Sequence, residues 1–315
     1  MSLTEHFRIR LTSLHPSKPI PFDIFIHVGS RMVHYLRAGD SISQEKLLSF
    51  ESKAPDKFFI TEDQKPTYQE YIKDRLSSDQ LSAKEKALML RESSLALVEA
   101  LYEHPDVGKA LQDAKEVIFN FVNLMDSEPE SLAHLIGLST HDFYTYNHSL
   151  DVSIYSLGLG QAAGFSAEDL KTLGEGSLFH DIGKRHVPVD IICKDGPLDD
   201  GEWAQMQKHP EYGLHILTEH SAADAIKACC FEHHESFTGN GYPQKLAGHE
   251  IHPMARIVAI TDTYDALTTQ RSYNVPMTPR NALEFMNNKL KGRYDNDLMR
   301  AMYEVLFKME KEIKS

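Results

Sequence analysis

The chain has 315 residues, 41% hydrophobic and 25% charged, enough apolar material for one large domain and a small partner. Its formal net charge of -13 argues against broad nucleic-acid binding through a basic surface. No apolar run approaches the roughly 18 residues of a membrane span, so neither DNA nor a membrane is an expected partner.

Taken in chain order, residues 1–80 read as a small α+β domain. "FRIRLTSL" alternates apolar and polar residues as a half-buried strand does. "FDIFIHV" and "MVHYL" flank Gly29-Ser30, a hairpin signal. Ser41 or Ser43 stands where a helix could be capped, "KFFIT" reads as a strand and "TYQEYIKDRL" as an amphipathic helix. From residue 82 the apolar period becomes helical. Residues 81–124 are expected to form linking helices and 125–315 a nearly all-helical domain. Its helices are expected near 128–138, 141–162, 167–180, 200–218, 221–234, 252–269, 279–290 and 295–313, with "KDGPLDDGEW" and "TGNGYPQKLAGHEIHP" as loops. The fold class is therefore mainly α behind a small α+β module.

The three cysteines, Cys193, Cys229 and Cys230, form no CxxC pair, so neither a zinc ribbon nor a disulfide framework is expected. Cys229 and Cys230 read as core residues of a helix. The start "MSLTEHFRIRLTSLHP" lacks the apolar core of a secretory signal, and the expectation is a cytoplasmic protein.

Histidine is the outlier: the chain carries 17, many between 134 and 252. His180-Asp181 in "SLFHDIGKRHVP" could be a metal site or a helix running out into a loop with a cation at its C-terminus. Adjacent side chains on a helix diverge by about 100°. His233-His234 would thus need local distortion near a helix end to hold one ion, or would serve two targets. Asp181 has two oxygens and could bridge two ions. His148, His180, Asp181, His209, His233, His234 and Asp262 together make a mixed nitrogen and oxygen set that suits iron, manganese or another borderline metal.

"HDIGK" (180–184), "KHP" with Gly213, "HHE" (233–235), "GNGYP" (239–243) and "ARIVAITDTYDALTTQRSY" (255–273) in this order resemble the HD-GYP family, a branch of the HD-domain metal phosphohydrolases. The resemblance covers residues 125–315 and implies a helical HD-GYP domain. It implies a di- or trinuclear centre of iron or else manganese, and two transition-metal ions are expected here because Tyr144 replaces the glutamate that would hold a third. His148, His180, Asp181 and Asp262 would hold one ion, and Asp181, His209, His233 and His234 the other. Lys184 would contact a phosphate oxygen, and Arg271 would grip the substrate phosphate through two hydrogen bonds. The implied reaction is hydrolysis of cyclic di-GMP to pGpG or GMP through a metal-bridging hydroxide, with Asp181 and Lys184 as the catalytic pair. The alternative is a module of weak or absent turnover that binds a cyclic dinucleotide and signals through a partner.

The chain departs from the family pattern at three positions. Tyr144 stands where some members place a glutamate for a third metal, Thr238 where an aspartate is usual, and Asn274 where a base often lies three residues after the arginine. In the loop, Gly239 and Gly241 permit positive φ and Pro243 stiffens the exit. Tyr242 either packs on the core or faces a partner, which in the family includes diguanylate cyclase domains. His186, His215, His220, His249 and His252 read as surface or supporting residues.

Overall fold

The computed structural model describes residues 6–16, 18–51, 58–103, 106–139, 145–269 and 275–313. It divides into two compact units, residues 1–97 with 124–135 and residues 98–123 with 136–315. The 81–124 segment therefore contributes to both units.

The first unit is built on a four-stranded sheet. β1 (His6–Ile9), β2 (Ile24–Val28), β3 (Arg31–Leu36) and β4 (Phe58–Thr61) lie in the order β1-β4-β2-β3, with antiparallel neighbours throughout. The hairpin between β2 and β3 forms where Gly29-Ser30 predicts it, with Gly29 at φ +62°. "FRIRLTSL" gives a strand only over its first half, because residues 11–13 turn into a 3-10 helix. α1 (Gln44–Glu51) starts after Ser43, whose hydroxyl accepts from the Lys46 amide at 3.4 Å. α2 (Lys65–Leu76) buries Tyr68, Tyr71 and Ile72, and Phe22 meets both tyrosine rings edge-on at 5.5 and 5.7 Å. Among the described residues, no cluster suited to a metal lies in this unit.

α3 (Ala83–Glu103), α4 (Val107–Ser127) and α5 (Ser131–Leu138) each contribute to both units. The second unit continues with α6 (Thr145–Ala162) and α7 (Ala167–Leu178), then α8 (Val189–Ile192), α9 (Asp200–Met206) and α10 (His209–Glu219). α11 (Asp224–Glu232), α12 (Pro253–Thr268), α13 (Pro279–Asn288) and α14 (Asn296–Ile313) complete it. The mainly helical expectation is met. Among the described residues, no helix is long and apolar enough to cross a membrane.

α6 is the spine, buried along almost its whole length and packed on α7, α12 and α14. Small polar residues let its neighbours approach closely without orphaning a hydroxyl. Ser153 Oγ donates to the Gly174 carbonyl at 3.1 Å, and Ser156 Oγ lies 2.8 Å from Thr261 Oγ1 of α12. Cys229 is fully buried against Gly176 of α7, where an added Cβ would come within 2.7 Å of its sulfur. Both Cys229 and Cys230 are core residues, their thiols pushed up by burial.

Two of the expected helices are broken where the site is built. The span 200–218 splits at Gln207-Lys208 into α9 and α10, with Pro210 in the first turn of α10. Proline has no N–H to donate and clashes with the preceding turn, so it fits a helix start and not an interior. The span 167–180 stops at Leu178, with Phe179 capping it and Ile182–His186 forming a 3-10 turn.

Candidate metal centre

Five elements bring side chains to one place. α6 supplies His148, the turn after α7 supplies His180 and Asp181, the first residue of α10 is His209, the C-terminal end of α11 gives His233 and His234, and α12 gives Asp262. His180, Asp181, His209 and His233 are each at most 1% exposed. The tight approach at Gly183 sets this up: an added Cβ would lie 1.9 Å from the His209 carbonyl oxygen. Only glycine lets the turn carrying Asp181 lie flat on the start of α10.

His233 is the residue just past α11 and His234 follows it. There the chain leaves the helix, and both rings reach one space: His209, His233 and His234 form a potential metal-binding group. His233 keeps helical dihedrals at the helix end, and it belongs both to this group and to one with His180 and Asp181. A second group is His148, His180 and Asp262, and a third, His180, Asp181 and His233, overlaps the first two.

Asp181 stands between the groups, and its two oxygens face different ways. Oδ2 lies 3.6 Å from His148 Nε2 and 3.4 Å from His180 Nε2. Oδ1 lies 3.2 Å from His209 Nε2 and 3.9 Å from His233 Nε2. Asp262 Oδ1 is 3.2 Å from His148 Nε2 and 3.9 Å from His180 Nε2.

The outer nitrogens fix the inner ones. Nδ1 of His180, His209 and His233 donates to the carbonyls of Ser177, Met206 and Cys230 at 2.7, 2.7 and 2.8 Å. In a neutral imidazole the other nitrogen is then a bare acceptor. Burial pushes His209 down to about 4 and His234 down to about 3, and takes His233 well below the usual histidine range. All three are neutral near pH 7. Burial alone would raise the Asp181 carboxyl, but opposing charge, the Lys184 ammonium first, outweighs it and holds the group well below the usual range. Asp262 is likewise held down against its own burial, by His148 first.

The consequence is a buried floor of acceptors facing acceptors. His209 Nε2 and His233 Nε2 are 3.3 Å apart with no proton on either. His180 Nε2 and Asp181 Oδ1 are buried and make no hydrogen bond. Orphaned acceptors at such separations repel, and a buried unsatisfied polar atom is costly. A divalent cation cancels the conflict, because metal ligands must be deprotonated and must converge. The mixed imidazole and carboxylate donors suit a borderline transition metal.

His148 behaves differently. Burial lowers its pKa, but Asp262 and Asp265 on either side of the ring win and hold it at about 9. Asp265 Oδ2 sits 2.7 Å from His148 Nδ1, while its Oδ1 accepts from Thr269 Oγ1 at 3.1 Å. Asp265 was missed in the sequence reading; its one available signal was its place three residues after Asp262, on the same helical face. Below about pH 9 an ion at His148 must displace one proton. Its affinity at this group should thus rise about ten-fold per pH unit and level off near pH 9. Asp265→Asn removes one of the two carboxylates, so the plateau should begin at a lower pH and lie about 10–100-fold weaker. Calorimetric titration with Mn(II) across a pH series checks both.

Glu235 was also missed as a working residue. Its buried carboxylate accepts from the amides of Gln244 and Lys245 through Oε1, at 2.6 and 3.0 Å, and of Leu246 through Oε2, at 3.1 Å. It cinches the Gly-rich loop directly after the paired histidines. Gly239 takes φ +80° as expected, but Gly241 is required for proximity: a Cβ there would lie 2.4 Å from the Glu235 Cα. Tyr242 is turned inward, its ring stacked on His234 at 4.8 Å and 27°. The Thr238 hydroxyl lies 2.9 Å from Ser236 Oγ, its methyl packs over Gly292, and the cleft described below is lined without it. Arg271, Asn274 and Tyr144 lie outside the described residues. His186 is exposed, and His252 caps α12 by accepting from the Met254 amide.

Above the floor opens a cleft of about 620 Å³, lined by His148, His209, His234 and Asp262 on the metal side and by Lys184, Lys194, Trp203 and Tyr242 around them. That size falls within the roughly 300–1,000 Å³ of small-molecule sites. Lys184 Nζ lies 2.5 Å from Asp181 Oδ2.

A family model described as an HD domain matches residues 130–298. A cyclic di-GMP phosphodiesterase of Pseudomonas aeruginosa is 30% identical over 223 residues, covering 70% of this chain and 54% of that protein. A 3'3'-cGAMP-specific phosphodiesterase of Vibrio cholerae is 34% identical over 220 residues, covering 67% of this chain and 48% of that protein. The chain spans about half the length of these curated relatives. An HDG"Y"P protein from Bdellovibrio bacteriovorus has the same fold, with a TM-score of 0.73 and 21% identity over 96% of this chain and 99% of that one.

Proposed function

The chain belongs to the HD-domain family, in its HD-GYP branch, and on that premise we propose that it is a metal-dependent phosphodiesterase hydrolysing a cyclic dinucleotide, cyclic di-GMP in the first instance, to pGpG or GMP. The observation that carries this is the buried floor of bare histidine nitrogens and ionised carboxylates beneath a nucleotide-sized cleft. His148, His180, Asp181 and Asp262 would hold one ion, and Asp181, His209, His233 and His234 a second, with iron as the first candidate and manganese as the alternative. Such ions acidify a coordinated water and polarise a phosphoryl oxygen.

The protein's own groups do the rest. The backbone carbonyls behind His180, His209 and His233 fix those rings, so the donor atoms need no reorganisation when an ion arrives. Lys184, beside Asp181 at the cleft, supplies a compact cation for a non-bridging phosphate oxygen. Arg271 is proposed as a bidentate phosphate ligand. Thr238 pairs with Ser236 and does not line the cleft, so its presence in place of an aspartate does not itself argue for an inactive site.

The test is metal analysis of anaerobically purified protein, followed by turnover on that same sample with cyclic di-GMP and 3'3'-cGAMP side by side. Metal-loaded protein should release linear or mononucleotide product, and chelation should stop the release. Metal-loaded protein that leaves both cyclic dinucleotides intact overturns the reading.

A further inference from the structure

Trp203 is the only tryptophan of the chain. It is 47% exposed, although a side chain of this size is usually mostly buried. It lines the same cleft as His148, His209, His234 and Asp262. Its ring meets that of Tyr242 at 6.3 Å and 78°, and Tyr242 in turn stacks on His234. A line of three rings therefore runs from the cleft wall to the metal floor.

The indole is held by a rigid support. The first turn of α9 is closed by a reciprocal cap: Asp199 Oδ1 accepts from the Glu202 amide at 2.9 Å, and Glu202 Oε2 accepts from the Asp199 amide at 2.8 Å. Lys194, also lining the cleft, pairs with the Glu202 carboxylate next to the indole. An exposed aromatic ring in the same cleft as two cations, Lys184 and Lys194, fits a ligand that is anionic and carries flat π-faces.

Resting on the phosphodiesterase reading above, we propose that Trp203 is the stacking platform for a nucleobase of the bound dinucleotide. With one phosphodiester at the metal floor, the indole holds a base and orients the ligand along the cleft. This makes Trp203 a substrate-binding residue whose contribution depends on the base and not on the phosphate.

Because the chain has one tryptophan, its emission reports this site alone. The wild-type protein is titrated with GMP and with ribose 5-phosphate, with N-acetyltryptophanamide as the optical control. GMP should quench the protein's emission saturably, and ribose 5-phosphate should not. Trp203→Leu should weaken GMP binding and raise the KM for cyclic di-GMP about ten-fold or more, whereas Trp203→Phe should recover most of both. Affinity for ribose 5-phosphate and the melting temperature should be unchanged in either variant. Equal quenching by the two probes, or a Trp203→Leu protein that binds GMP as tightly as wild type, overturns the platform. If cyclic di-GMP is turned over with an unchanged KM in Trp203→Leu, the phosphodiesterase reading stands and the platform falls. If GMP quenches but metal-loaded protein leaves cyclic dinucleotides intact, the platform stands and the phosphodiesterase reading falls.

Discussion

Asp181→Asn is expected to leave the protein folded, to empty both metal groups and to lower cyclic dinucleotide turnover by about 10³-fold, the order of several kcal/mol of lost charge stabilisation. The reason lies in the two faces of the carboxylate. Oδ2 looks toward His148 and His180, and Oδ1 toward His209 and His233. No other carboxylate among the described residues reaches both sets. Asparagine keeps the shape but loses the charge, and its amide NH₂ becomes a donor beside nitrogens that lack protons. In the metal-free protein that donor satisfies an acceptor now orphaned, but the Lys184–Asp181 ion pair is lost, so the melting temperature should fall modestly without loss of the fold. Metal content, melting temperature and turnover measured on one preparation separate the effects. A metal-replete variant with near wild-type turnover would remove Asp181 from its bridging role.

Gly183→Ala is expected to be the most damaging single methyl group in the second unit. The added Cβ would lie 1.9 Å from the His209 carbonyl oxygen and 2.5 Å from the Gly213 amide nitrogen. Both obstacles are backbone, so no rotamer change relieves the clash. Overpacking of this kind costs about 3 kcal/mol, which for a domain of this size lowers the melting temperature by roughly 6–12 °C. If the fold survives by moving α10 away, His209 moves with it, and metal affinity falls even where the protein remains folded. Gly201→Ala supplies the contrast, since Gly201 lies inside α9 and a Cβ there meets only the Asp199 carboxylate, at 3.3 Å. Thermal melts of both variants, read with metal titrations, check the expectation. An unchanged melting temperature in Gly183→Ala would show that the turn is not locked against α10.

Most of the site was legible because its chemistry is carried by residue type. The His180-Asp181 and His233-His234 doublets at the ends of apolar runs stand out in a sequence, and in space they converge with His148, His209 and Asp262. What supports them was not legible. Asp265 looks like any carboxylate on an amphipathic helix until His148, far off in the chain, is placed 2.7 Å away. Glu235 does its work through backbone amides, which have no sequence signature. The break between α9 and α10 did have a signal in Pro210, which cannot occupy a helix interior, yet a continuous helix was expected there. In the first unit β1 followed from alternation, β2 and β3 from the hairpin signal and β4 from a short apolar run, but the turn at 11–13 did not, because burial there continues the strand's period of two while the chain turns.

The grip of Glu235 on the loop has a bearing on how this chain can change over time. Its carboxylate holds Gln244, Lys245 and Leu246 through their main-chain N–H groups, while the side chains of Gln244 and Lys245 point to solvent. A clasp that reads only the backbone does not care which amino acids it holds, save that proline is excluded throughout and β-branched residues are disfavoured at Lys245, where φ is +61°. The loop can therefore acquire new outward-facing chemistry one substitution at a time while the paired histidines stay where they are. The centre and the surface above it are fastened together mechanically but left independent in the genetic text.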